Sequence, residues 1–209
     1  AWLRRWSLGG SADYVTDNDR VVESRRQRVF VRFEPANGDE FDVRVERQYE
    51  VLDDEFQVTD DHVVPVGSYY FTKVEGAYQL GPRRWMTGEI SAGGGGFYGG
   101  TIREAAYRAR VEVVPSIALE PSFSINRIEL PDDEPFWVNV ARLRATWSLS
   151  PRASTIALVQ YRSDGGALSA SARLRWEYRP GSDLFLVFSE GRDTLNPRES
   201  LVNRSFAVK

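Results

Sequence analysis

Apolar residues recur at every second position along most of this chain. In the clearest run Leu168, Ala170, Ala172, Leu174, Trp176 and Tyr178 share one face of an extended backbone, and Ser169, Ser171, Arg173, Arg175, Glu177 and Arg179 share the other. At helical spacing the same residues scatter around every side, so the pattern predicts a strand. Pro180-Gly181-Ser182-Asp183 predicts a tight turn, with Pro at its second position and Gly where φ must be positive. Leu184–Phe188 then leads back as the second arm of a hairpin.

The rest of the chain repeats this arrangement. Trp6, Leu8, Ala12 and Tyr14 mark a first strand, followed by a turn at Asp17-Asn18-Asp19. Val29, Val31 and Phe33 oppose Arg26, Arg28 and Arg32; Asn37-Gly38, a strong hairpin signal, reverses the chain. Phe41, Val43, Val45, Tyr49 and Val51 then oppose Asp42, Arg44, Glu46, Gln48 and Glu50. An acidic loop at 53–64 precedes a strand over Gly67–Leu80, which Gly81-Pro82-Arg83-Arg84 turns. Further strands carry Met86 to Ala92, Ala105 to Val113, Ile117 to Ile125, Trp137 to Leu149, Ser154 to Tyr161 and Leu201 to Lys209. The expectation is about a dozen strands of roughly 9–14 residues joined as hairpins, with no helix. Short turns alternate with connections that are mostly longer and acidic, at 53–64, 130–135 and 191–200.

Two all-β architectures fit alternation of this kind. In a soluble sandwich the apolar face is the core, and strands average about 5–6 residues. In a transmembrane barrel the apolar face meets lipid, the charged face lines the lumen, and strands run about 9–11 residues. Strand length favours the barrel. So does the spacing of Trp137 and Trp147: ten residues on a tilted strand place them about 25 Å apart along the normal, the height of the apolar band between two aromatic girdles. Trp176 and Tyr178 fall beside a short turn, where one girdle is expected. Many apolar-face positions are only Ala or Gly (Gly88, Ala92, Ala105, Ala109, Ala141, Ala145), too small to fill a sandwich core that lipid would not need filled. The expected fold is therefore an antiparallel up-and-down transmembrane β-barrel spanning residues 1–209, with a soluble β-sandwich binding module as the alternative.

Composition narrows the chemistry. The 209 residues include no cysteine and one histidine, His62, leaving little for thiolate, triad or multi-histidine metal chemistry. A net charge of −3 with pI near 5.4 gives no basic field for nucleic acid. Aromatic content of 12% and charged content of 27% coexist with a mean hydropathy of −0.42, as they do when apolar and charged residues alternate. No apolar run approaches the roughly 18 residues of a membrane helix, and no signal peptide is visible, since 1–6 already reads as strand.

The stretch RLRWEYRPGSDLFLVFSEGRD, with GGFYGG and PVGSYYFTKVE upstream and NRSFAVK after it, resembles the C-terminal barrel of a bacterial family of unknown function. That family's members carry an N-terminal carbohydrate-binding-module-like domain ahead of an outer-membrane barrel. The resemblance covers most of the chain and implies a Gram-negative outer-membrane location. It supplies no activity. The module-like domain is absent from this sequence, and the chain ends Phe206-Ala207-Val208-Lys209 without a terminal aromatic. Both departures lead us to expect a portion of a longer barrel.

Three sets of residues are candidates for function. Gly94-x-Gly96-x-x-Gly99 matches a dinucleotide fingerprint, but strands flank it, so a hairpin tip is expected. Asp53, Asp54, Glu55, Asp60, Asp61 and His62 offer carboxylates to a divalent cation, but in no EF-hand spacing; a solvated outer loop is expected. The charged rows are the most informative: Arg26, Arg28 and Arg32; Arg44, Glu46 and Glu50; Glu104, Arg108, Arg110 and Glu112; Arg142 and Arg144; Arg173, Arg175 and Glu177. They are expected to line the lumen, as a salt-bridge network or as a charged constriction. The expectation is a non-enzymatic channel or docking barrel for a polar solute, or a structural barrel with a plugged lumen. It needs no cofactor or metal, and no nucleic acid. Its partners would be the lipid bilayer and possible further barrel, N-terminal-domain or envelope-complex components.

Overall fold

A computed structural model describes residues 2–18, 20–82, 85–195 and 200–209. It is all-β. Twelve strands form one antiparallel sheet in sequence order: β1 (Leu3–Thr16), β2 (Val22–Pro35), β3 (Glu40–Leu52), β6 (Gly67–Leu80), β7 (Met86–Phe97), β8 (Gly100–Val114), β9 (Ile117–Glu129), β10 (Phe136–Ser150), β11 (Ala153–Arg162), β12 (Ala167–Arg179), β13 (Ser182–Asp193) and β14 (Leu201–Val208). The remaining two, β4 (Phe56–Thr59) and β5 (His62–Val64), pair with each other inside the acidic loop. This is the up-and-down order the alternation predicts, compatible with the wall of a barrel, and the long strands reach 15 residues. Among the described residues no helix is long and apolar enough to cross a membrane, which says nothing about a barrel. The predicted turns at 17–19 and 81–84 and the loop at 191–200 each include residues outside those described.

Register explains why the alternation survives across strands. Val29 pairs with Val45 and Val45 with Val74, while one step along Arg28 pairs with Glu46 and Glu46 with Lys73. A slip by one residue would set arginines against valines, so the sequence specifies the pairing strongly. The turns follow their residues. Gly38 and Gly181 take φ of 84° and 77°, and the β7–β8 tip places Tyr98 and Gly99 consecutively at 43° and 84°, the left-handed pair that a two-residue hairpin requires.

The glycine cluster departs from expectation. Gly93 to Gly96 lie within β7 rather than at the tip. There a side chain would collide with neighbouring backbone: an added Cβ would lie 2.6 Å from the Val74 carbonyl oxygen at Gly93 and 2.7 Å from that of Ile102 at Gly94. Close approach of β6 and β8, not turn geometry, explains these glycines.

The chain divides into two compact units whose boundary cuts across β7–β10. Unit 1 comprises residues 1–84, 89–107 and 125–138; unit 2 comprises 85–88, 108–124 and 139–209. In unit 1, Val64, Phe71, Tyr98, Ile102, Ile128 and Leu130 form a buried apolar cluster, with Leu52, Val58, Tyr69, Phe97, Phe136 and Val138 packed against it. Phe71 shares parity with Lys73 and Glu75, and the Lys73 ammonium lies 5.9 Å from the Phe71 ring and 5.1 Å from that of Phe97. The cluster therefore sits on the charged face, beneath the β4–β5 hairpin that contributes Val58 and Val64. The expected solvated loop at 53–64 is open along most of its length, with Asp53, Asp54, Glu55, Asp60, Asp61, Phe56 and Val63 exposed, but Val64 is buried and Val58 half-buried against the cluster.

The broad apolar face is the more exposed one. All six tryptophans are at least 49% exposed, and Trp6, Trp137, Trp147 and Trp176 lie on that face within strands. Val45, Val74, Leu143 and Leu149 are exposed beside them.

Candidate charged-face site

The rows named from sequence fall on one face in each unit, and the strand pairings decide what each side chain meets. In unit 1 opposite charges meet across the ladder at Arg28–Glu46, Arg32–Asp42, Arg44–Glu75 and Glu46–Lys73. Arg28 donates to Glu46 at 2.6 Å, Arg26 lies 3.4 Å from the same carboxylate, and Arg32 lies 2.9 Å from Glu40. Arg44 meets Asp42 at 3.2 Å and Glu75 at 3.8 Å. Between them lies a small polar cavity of about 200 Å³, lined by Arg28, Arg44 and Lys73 and by Glu46, Glu75 and Glu104. Three cations face three carboxylates. Such a set solvates and stiffens itself, and its charges are half-buried rather than displayed.

Above this set Glu50 accepts a hydrogen bond from the Tyr98 hydroxyl at 2.8 Å. Burial, then that hydrogen bond to a carboxylate, push the Tyr98 phenol well above its ordinary value. Tyr98 also touches the rings of Phe56, Tyr69, Phe71 and Phe97, so one side chain ties the hairpin to the strands. His62 stacks on Phe136 with 3.6 Å between ring centres, its Nδ1 lies 2.7 Å from the Thr59 hydroxyl, and its Nε2 lies 3.6 Å from Asp133. Among the described residues no group of His, Asp or Glu is arranged to hold a metal ion.

Sequence reasoning missed Asp39. It is 2% exposed and joins two turns: Asn37 Nδ2 donates to it at 2.7 Å, the Tyr78 hydroxyl at 2.6 Å and the Gly81 amide at 2.7 Å. The signal was present in Asn37-Gly38-Asp39, but only the meeting of two hairpin turns makes an Asp there a cross-link.

Unit 2 is arranged differently. Arg110 pairs with Glu120 and with Glu112, and Arg144 lies 3.8 Å from Glu120. Arg175 pairs with Asp183 at 3.0 Å, and Glu177 accepts from the Gly181 amide at 2.9 Å, capping the turn. Along β11 the residues in register with Arg142, Arg144 and Arg173 are neutral. Arg142 pairs in register with Gln160, Arg144 with Leu158 and Arg173 with Ile156. Arg173 lies over the Phe185 ring at 4.4 Å instead of against a carboxylate. These side chains border a cavity of about 410 Å³. Arg108 is engaged by its surroundings and is not a free charge. At the β11–β12 turn Arg162 donates to Asp164, which holds that carboxyl below its ordinary value.

No known protein family, curated protein or solved structure matches this chain. The resemblance described above therefore rests on its motifs alone, and the reading of function rests on the geometry.

Proposed function

We propose that this chain forms the wall of a β-barrel in the outer membrane of a Gram-negative bacterium, its apolar face against lipid and its charged face turned inward for docking or passage of a polar solute. The observation that carries this reading is the inverted exposure. Tryptophans and branched aliphatics occupy the open face, while the ion-paired residues are half-buried on the other. A soluble monomer rarely exposes contiguous apolar surface beyond a few hundred Å², whereas lipid accepts all of it, and tryptophan favours the lipid–water interface. The proposal includes no catalytic step.

The membrane claim is tested by Leu143→Arg on the apolar face of β10. The variant should lose about 2–4 kcal/mol of folding stability in vesicles if it meets hydrocarbon. A silent substitution, or a chain that stays monomeric in water without detergent, would overturn the reading. The apolar cluster beneath β4–β5 favours a second reading, a structural barrel with an occluded interior. Planar-bilayer conductance separates the two: channel steps support passage, and a folded, inserted protein that never conducts supports occlusion.

A further inference from the structure

The cavity in unit 2 has the composition of a binding site. Its walls bring Arg142 and Arg144 of β10 and Arg173 of β12 around Ile156 and Leu158 of β11, with Val187 of β13 beside Arg173. Glu120 is the one carboxylate in the lining, and it is already shared between Arg110 and Arg144. Arg142 takes no ion-pair partner among the described residues, and Arg173 is held by an aromatic face. Cations that converge on a cavity without matching carboxylates leave an excess of positive charge. Guanidinium groups supply it as flat forks of donors, the geometry that takes both oxygens of a carboxylate. A volume near 410 Å³ falls in the range of small-molecule sites, and the aliphatic floor gives an apolar body somewhere to rest.

We propose that this cavity binds a small organic carboxylate, its anionic end between Arg142, Arg144 and Arg173 and its apolar part on Ile156, Leu158 and Val187. The proposal rests on the reading that this face is turned away from lipid, and it names the solute class that face recognises. Charge matching argues against the unit 1 cavity as a second such site, because its three cations are already answered by three carboxylates.

The test is a fluorine NMR titration of 4-fluorobenzoate against the folded full chain in detergent micelles, with neutral 4-fluorobenzamide as the matched probe. Saturable broadening is expected for the acid and only micelle partitioning for the amide; unlabelled benzoate should compete. R142Q and R173Q should each weaken binding about tenfold or more, the range for a lost hydrogen bond to a charged group. R173K should retain part of it, keeping charge without the fork. Equal behaviour of acid and amide, failure of benzoate to compete, or arginine variants that bind as the parent does would overturn the proposal. Competition on the parent chain decides the matter even if a variant fails to fold. The two readings fail separately: a silent Leu143→Arg sinks the membrane reading while benzoate binding persists, and absent benzoate binding leaves the cost of Leu143→Arg intact.

Discussion

The two units present the same kind of charged face with opposite consequences. In unit 1 the arginines of β2 and β3 stand beside the acidic residues of β3 and β6, and an apolar cluster with its own hairpin covers part of the same face. In unit 2 Arg142, Arg144 and Arg173 stand in register with Gln160, Leu158 and Ile156, Arg144 alone of the three reaching a carboxylate among the described residues, and an open cavity is found where unit 1 has its cluster. An arginine row is therefore neither structural nor functional by composition. The residue across the ladder decides, because a partner about 5 Å away on the same face either neutralises the charge or leaves it for a ligand.

The sharpest way to break this comparison is to cut the unit 1 cluster. Phe71→Ala removes a buried ring at its centre and should cost about 4 kcal/mol in urea unfolding from vesicles. A matched pair refines it. Ile128→Val inside the cluster should cost about 1.5 kcal/mol, and Ile156→Val on the cavity floor about 0.5 kcal/mol, since one site is filled and the other already open. Equal costs would mean that the cavity wall is packed as tightly as the cluster.

Removing a charge on each side gives the next effect. Glu46→Gln strips Arg26 and Arg28 of their shared carboxylate and should destabilise by about 1 kcal/mol, reduced by the partial exposure of these side chains. Arg142→Gln removes a guanidinium with no ion pair among the described residues and should change stability by less than about 0.5 kcal/mol. If Arg142→Gln proved as costly as Glu46→Gln, the distinction between paired and available arginines would be lost.

The reach of sequence reasoning follows the same line. Strand order, strand faces and most turns are legible, because alternation and turn residues act over two to five positions. Asn37-Gly38, Pro180-Gly181 and the run from Leu168 to Tyr178 were sufficient. The charged rows were also visible as rows. Their division into a neutralised set and an arginine cavity was not, because Arg28 against Glu46 and Arg173 against Ile156 are relations of register between distant segments. Burial under β4–β5 was hidden for a similar reason: Val58 and Val64 are sparse in an acidic loop, and only the sheet beneath makes them part of a cluster. Gly93 to Gly96 misled because a glycine forced by close strand approach looks the same as one at a turn.

The smallest effects are in pH dependence, and the units should differ in its direction. In unit 1 the folded protein favours the neutral Tyr98 phenol, so that contribution is complete below the unfolded value near 10 and is lost as pH rises through the higher folded value. Tyr98→Phe should remove this alkaline loss, at a cost of about 1 kcal/mol at neutral pH for the hydrogen bond to Glu50. In unit 2 the sign reverses. Arg162 favours the ionised Asp164, so its contribution is complete above the unfolded value near 4 and is lost as pH falls through the lower folded value. Asp164→Asn should cost about 0.5 kcal/mol at neutral pH and flatten the acid limb of the stability curve, leaving the alkaline limb as it was. An unchanged acid limb in Asp164→Asn would mean that the turn pair with Arg162 adds nothing to the fold of unit 2.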